Sequence, residues 1–291
     1  MPCEQLTDLW DVRGCFHDHF KRKLFFLVAE ENKKLIGLIP LCFVEEHNYY
    51  TYFPGEIWQK KTWIEQNRLI ARDKNVFQQM LAWLEENNIR HFSRYLLNSP
   101  SFLESFVTED EIGYLFSSEA HHHSMENYYS AFSRKSIKTI RREINRIYEK
   151  GLEICSDHPN DFEEMIRLNL ERFEQYSYFS DDKFTKSFRS LRDYLSQKGW
   201  LRMTTLKIDS QVAAIDMGCV YNNTYTLLAG GTNSNYPGIA KVINMYHMEE
   251  SCKKKYKEAD FLCGDFSWKK LFHLTPRPLY FIKNFDEAKI A

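Results

Sequence analysis

The sequence predicts an α+β (α/β) fold built from two tandem domains, each with a mixed, mostly antiparallel sheet flanked by helices. Short alternating apolar runs bounded by turn residues read as strands, and they are interleaved with segments of helical apolar spacing. The order helix, strands, helix, strand in the first third of the chain returns in longer form further on. An irregular stretch, Pro100–His123, separates the two, with a boundary near Ser117-Ser118. The expected domains are 1–118 and 119–291, as in an ancient duplication.

The elements follow in order. An N-terminal helix is expected around Gln5–Val12. Lys23–Glu30 and Leu35–Glu45 alternate about the turn Glu31-Asn32-Lys33-Lys34 and read as a hairpin. Tyr49–Phe53 is a third strand, stopped by Pro54-Gly55. Val76, Phe77, Met80, Leu81 and Leu84 give Lys74–Asn88 helical spacing, and Arg90–Leu97 reads as a strand. A long helix over Met125–Lys150, broken near Ser133, carries the stripe Ile137, Ile140, Ile144 and Ile147 and stops at Gly151. Leu152–Ser156 is a short strand. Helices follow over Pro159–Glu174, with Asp161 as a cap or first-turn acid, and over Phe184–Lys198. Trp200–Ile208 and Gln211–Tyr221 form a hairpin about Asp209-Ser210. Tyr225–Ala229 adds a strand ended by Gly230-Gly231. Tyr236-Pro237-Gly238-Ile239-Ala240-Lys241 opens a helix running to about Tyr256, and Asp260-Phe261-Leu262 is a last short strand.

Composition narrows the function classes. Of 291 residues, 43% are hydrophobic and 27% charged, which fits a folded chain rather than a disordered one. Aromatic residues reach 15%, so they will dominate cores and line pockets. A net charge of −1 argues against a wholesale nucleic-acid binder, DNA included, though a local basic face is compatible with it. The seven cysteines are scattered, with no CxxC pair, as in free thiols in a reducing compartment. The start Met1-Pro2-Cys3-Glu4 lacks a signal-peptide pattern. The apolar run Leu35–Val44 is half of the ~20 residues a membrane span needs. A cytoplasmic protein is expected.

The stretch 224–280 carries the chemistry. A strand followed by a glycine-opened helix presents unpaired N–H groups and a positive dipole end to an anion or a developing oxyanion. A second strand then delivers Gly264-Asp265-Phe266-Ser267-Trp268-Lys269 beside it. Asp216 lies inside the apolar strand Ala213-Ala214-Ile215-Asp216-Met217-Gly218, on a face shared with the small Ala214 and Gly218. A carboxylate there can face a cleft and accept a proton, or make an edge salt bridge.

Taken together, Pro237-Gly238, the helix after it and Asp260-Phe261-Leu262-Cys263-Gly264-Asp265-Phe266-Ser267-Trp268-Lys269 resemble the C-terminal domain of the FemAB-like, CelD-type branch of the GNAT-fold N-acyltransferases. The hairpin Val28-Ala29-Glu30 to Leu41, the strand end Tyr52-Phe53-Pro54-Gly55, and the basic helix Phe132-Ser133-Arg134-Lys135 to Arg142 are similar to further parts of that family. The resemblance implies two GNAT-like domains, the first shaping acceptor specificity and the second binding donor and catalysing. It implies direct transfer of an acyl or aminoacyl group to a primary amine, in a small molecule or a peptide, within a ternary complex. The donor is acyl-CoA, acyl-carrier protein or aminoacyl-tRNA.

Residue roles carry over in the same way. Lys269 corresponds to a lysine that stabilises the tetrahedral oxyanion; the bland alternative is a solvent-exposed helix start. Its substitution by Ala is expected to abolish transfer without unfolding. Trp268 stands where the branch usually has Tyr. Asp265 is a catalytic candidate or a turn cap. Tyr236, Gly238, Ile239, Ala240 and Lys241, with Gly230, occupy the donor-loop position. Asn235 stands where Arg or Gln is usual. Glu171, Arg172, Tyr178 and Trp268 are candidates for acceptor contact.

Arg134, Lys135, Lys138, Arg141, Arg142 and Arg146 alternate with the isoleucine stripe and read as a solvated face, or as a contact for a phosphate-rich donor such as tRNA. His121-His122-His123 cannot converge on one ion, so no metal is expected. Cys263 with His273 is a rival nucleophile pair that needs proximity. The competing class is a non-catalytic GNAT-fold protein that binds an amino sugar, a peptide or RNA.

Overall fold

The computed structural model describes residues 3–54, 64–97, 108–158, 160–264 and 267–285. The chain falls into two compact units. The first comprises Met1–Ile112, Lys186–Leu191 and Arg277–Ala291, and the second Gly113–Thr185 and Arg192–Pro276. The expected class of mixed α/β structure with mostly antiparallel sheets holds.

In the first unit the predicted N-terminal helix is replaced by a tight turn, Leu6–Asp8, followed by α1, Trp10–Phe20. The Asp8 carboxylate accepts the N–H groups of Glu4 and Gln5 at 3.0 and 2.9 Å and closes the turn. Leu9 is extended, so helix starts afresh after it. The hairpin is β1, Leu24–Glu31, and β2, Lys34–Val44, joined by Asn32 and Lys33 at φ 50° and 62°. Two left-handed residues match the twist of the flanking strands. β3, Tyr49–Tyr52, and β4, Ile70–Ala71, also pair with β2. α2, Lys74–Glu86, is capped by Asp73, whose carboxylate accepts the Val76 N–H. Its face Val76, Phe77, Met80 and Leu84 packs on Ile39, Leu41 and Tyr52. Each such fully buried side chain contributes about 1.5–3 kcal/mol. β5, Phe92–Leu96, pairs antiparallel with a strand absent from the sequence reading, β12, Thr275–Lys283.

The stretch expected to be irregular holds another unforeseen strand, β6, Thr108–Ser117. Its opening Thr-Glu-Asp-Glu hides the alternation. Asp110 is charged because it pairs with Arg94 and accepts the Tyr95 N–H. In the second unit the long basic helix is broken where expected, into α3, Met125–Ser130, and α4, Arg134–Tyr148. The Ser133 hydroxyl caps α4 by accepting the Ser136 N–H at 3.1 Å. Then come β7, Leu152–Ser156; α5, Asp161–Phe173; and α6, Asp182–Gln197. The meander is β8, Leu201–Ile208; β9, Gln211–Tyr221; and β10, Thr224–Thr232. α7, Ile239–Lys253, β11, Glu258–Asp260, and the short α8, Ser267–Leu271, complete it.

The strand order in this unit is β7-β8-β9-β10-β11-β6. All neighbours are antiparallel except β10 and β11. Ile239, Val242 and Ile243 of α7 pack on Leu206, Ile208, Ala213 and Ala214. Gly230 and Gly231 were expected to end β10, yet they lie within it. Gly231 is needed there because a Cβ would collide with the Met165 carbonyl of α5. Close helix–strand approach, not chain termination, explains it.

Candidate active site

The parallel pair β10/β11 parts soon after it begins. Thr224, Tyr225 and Thr226 are in register with Glu258, Ala259 and Asp260, and the ladder stops there. Beyond Asp260 the chain turns to β6 instead, with Phe261 N–H donating to Tyr114 O and Tyr114 N–H to Leu262 O. On its other side β10 stays on β9, but its register shifts between Leu227 and Ala229, so Leu228 is an extra residue. A bulge re-aims backbone groups at the level where the two parallel strands separate.

A buried polar network sits beside that bulge. Asp216 of β9 faces Gly230 in register. Its Oδ2 lies 2.9 Å from Nε2 of His247 on α7. The Tyr225 hydroxyl is 3.2 Å from the same nitrogen, and the Tyr225 ring stacks on the imidazole at 4.7 Å. All three residues are buried. Burial, followed by the Asp216 charge, raises the Tyr225 hydroxyl well above its ordinary pKa, so it is a neutral phenol. Among the described residues Oδ1 of Asp216 accepts no hydrogen bond. That oxygen lies over Gly230, where any Cβ would strike it. Gly230 in turn receives Asn169 of α5, whose amide donates to its carbonyl at 2.5 Å. Ser177 donates to Asn169 Oδ1 at 2.7 Å and accepts the Phe179 N–H, tethering the turns after α5 to this level of β10.

Lys269 of α8 is buried, with 2% of its surface exposed. Its ammonium donates to the carbonyls of Phe261, Leu262 and Cys263 at 2.9, 2.9 and 2.7 Å. Those residues are the limb of chain that leaves β10. All three ammonium hydrogens therefore have acceptors, so the oxyanion role expected of Lys269 requires one carbonyl to be released.

Residues 134–270, most of the second unit, match the model of the acetyltransferase (GNAT) domain. The chain carries a GNAT domain. Its enzyme class is acyltransferase. Solved structures agree in fold. A protein of unknown function from Bacteroides thetaiotaomicron superposes with TM-score 0.62 at 12% identity, covering 94% of this chain and 90% of that one. FemX superposes with TM-score 0.59 at 8% identity, covering 94% and 91%. L-PGS from Bacillus licheniformis gives 0.58 at 11%, covering 98% and 94%. Curated protein sequences give no match.

The GNAT domain distributes the expected site residues unevenly. Gly238 begins α7 at φ +88°, and Gly238 and Ala240 are exposed there. Ile239 is buried in the core, with Tyr236 packed against it, and Lys241 pairs with Glu143 at 2.7 Å. Glu171 pairs with Arg167 on an exposed face, and Arg172 is exposed. Tyr178 rests on Phe184 at 5.6 Å. Trp268 packs edge-on against Phe261 and Phe272. Asp265 lies outside the described residues. His273 stacks on Phe132 at 4.0 Å, and His123 bonds Ser118. Among the described residues no group of His, Cys, Asp and Glu could hold a metal, and no helix is long and apolar enough to cross a membrane.

Asn169, Tyr225 and His247 were not singled out from the sequence. A signal existed for two. Asn169 sits on the apolar face of α5 with Met165, Ile166 and Leu168. His247 lies in a buried stripe with Asn244 and Ser251 at spacings of three and four. Polar residues on an apolar face demand partners.

Proposed function

We propose that this GNAT domain moves an acyl or aminoacyl group from a thioester or ester donor to a primary amine by direct attack. The observation that carries the reading is the pairing of Asp216 with Gly230, beside the point where β10 and β11 part. The donor carbonyl lies at the β10 bulge, where backbone N–H groups can polarise it. The amine attacks the carbonyl carbon, and a C–N bond replaces the C–S or C–O bond. The nitrogen's proton goes to Oδ1 of Asp216, and the leaving sulfur or oxygen takes one up from solvent. Exposed backbone at Gly238 and Ala240 can receive donor phosphate at the start of α7. Glu171, Arg172, Tyr178 and Trp268 are the acceptor candidates, of which Tyr178 is the one in the segment tethered to Gly230 through Asn169. Lys269 acts by holding the departing limb. Residues 119–291 would bind donor and catalyse, and 1–118 would shape acceptor choice.

One observation favours aminoacyl-tRNA over acyl-CoA as donor. Arg134, Lys135, Lys138, Arg141, Arg142 and Arg146 of α4 are all exposed. Arg141 stacks on Tyr129 at 4.6 Å, which fixes part of that face. Such a surface attracts a polyanion in a salt-dependent way.

Thermal unfolding with acetyl-CoA, free CoA and a charged tRNA tests the reading. A ligand that binds only the folded state raises Tm by mass action. A rise with CoA compounds supports the thioester donor, and a rise with charged tRNA alone supports the second reading. No rise with any of them favours the non-catalytic binding protein.

A further inference from the structure

We propose that His247 is a positioning residue, which holds Asp216 by one oxygen so that the other stays aimed across Gly230 for the acceptor's proton. The inference rests on the reading of Asp216 as the base. The chemistry of the pair fixes its direction. An ionised carboxylate only accepts, so Nε2 of His247 carries the hydrogen that lies between it and Oδ2, 2.9 Å away. The Tyr225 oxygen, 3.2 Å from that nitrogen, meets an N–H and not a lone pair. The ring is held from several directions. Tyr225 stacks on it with an interplanar angle of 25°, and the Tyr246 ring meets it edge-on at 5.8 Å. Tyr225 is itself seated by Gly218, where a Cβ would meet its hydroxyl and ring.

The result is an asymmetric carboxylate. The side chains of His247 and Asp216 are 3% and 6% exposed, so neither is rotationally free in solvent. Oδ2 is fixed by a neighbour on a different element, α7. Oδ1 accepts nothing among the described residues and lies over the glycine. A base needs this arrangement: one oxygen anchored, the other open toward the proton it takes. The anchoring is analogous in physical terms to a carboxylate that orients a histidine, with the roles exchanged. The ionisable groups around the pair are Tyr225 on β10, Cys219 on β9 and Tyr246 on α7, whose ring is 5.8 Å from the imidazole, with Tyr256 acting on Tyr225. Burial raises Cys219 to about 12, so it stays a neutral thiol.

The test uses the full chain with histidine labelled at its ring nitrogens and aspartate at its carboxyl carbon, observed by NMR. Wild-type His247 is expected as the Nε2–H tautomer, with a hydrogen-bonded proton that moves upfield in Asp216→Asn. His247→Leu should shift the Asp216 carboxyl-carbon resonance, and His247→Gln, which keeps an N–H donor, should restore most of it. With acetyl-CoA and a lysyl peptide as probes, His247→Leu should lower kcat about tenfold while the donor KM holds, and His247→Gln should recover it. An Nδ1–H tautomer, or an Asp216 carboxyl resonance unchanged in His247→Leu, overturns the proposal. Should the Leu variant not fold, the wild-type tautomer and the Gln variant still decide. Failure of the base reading looks different: Asp216→Asn then turns over normally while the wild-type spectrum shows the His247–Asp216 bond intact.

Discussion

Two buried charges, one in each unit, are treated in opposite ways. Arg13 in the first unit donates to the carbonyls of Thr7, Phe53 and Gln66 and to Asn67 Oδ1, and its plane lies over the Tyr52 ring at 4.8 Å. Asp216 in the second unit has one partnered oxygen and one without a hydrogen bond among the described residues. A buried charge bonded on all sides holds loops together, because it gives several buried acceptors one shared donor. A half-saturated one keeps capacity for a ligand. Lys269 belongs with Arg13 in this respect, although the sequence placed it with Asp216.

The contrast can be broken or sharpened by substitution. Arg13→Met should be the most damaging, destabilising by about 3–5 kcal/mol in urea titrations, since several carbonyls lose their donor together. An effect near that of a surface change would remove the scaffold role. Acid provides the next test. Burial lowers His91 in the first unit to about 4. The unfolded chain then binds the proton first, near 6.5, so stability is complete above that value and declines as pH falls toward 4. The expected loss is about 3 kcal/mol. His91→Phe should flatten the pH profile of unfolding; a profile unchanged by the substitution would refute this assignment.

Lys269→Met should cost about 2–3 kcal/mol and reduce turnover by loosening the 261–263 limb. A variant of normal Tm but without activity would instead restore the oxyanion role. Gly230→Ala should cost about 1–2 kcal/mol by pushing Asp216 aside, with turnover falling as far as in the Asp216 variant. Asp216→Asn is expected to have the smallest stability effect, under about 1 kcal/mol, because the amide still accepts from His247. Its turnover should fall by about a hundredfold or more, with the acidic limb of the pH–rate profile gone. Equal stability losses in Arg13→Met and Asp216→Asn would collapse the distinction.

Much of the fold was legible because local signals agreed. The β1/β2 turn carried its asparagine, the break in the basic helix fell on a capping serine, and α2 showed its apolar stripe. What failed had a tertiary cause. β6 begins with charged residues whose partner, Arg94, is distant in sequence. Gly230 and Gly231 read as a stop, yet their freedom serves close approach by Asp216 and α5. In the site, Asp216 was visible as a charge in an apolar strand. His247 had a signal of its own in the polar stripe of α7, but its pairing with Asp216 did not, because a contact between β9 and α7 leaves no spacing to read. Lys269 read as an oxyanion stabiliser or an exposed helix start, since the three carbonyls that hold it are backbone groups, which sequence does not display.

The short ladder between β10 and β11 has a kinetic consequence. It protects amides only over Thr224–Thr226, whereas β10 runs on to Thr232. Every second amide further along points away from β9, and solvent deuterium should reach those positions early. A donor whose own amides line up there would complete the missing rungs. Exchange at the amides of Ala229 to Gly231 that β9 does not hold would then slow by orders of magnitude on binding, which makes this one strand its own reporter of occupancy.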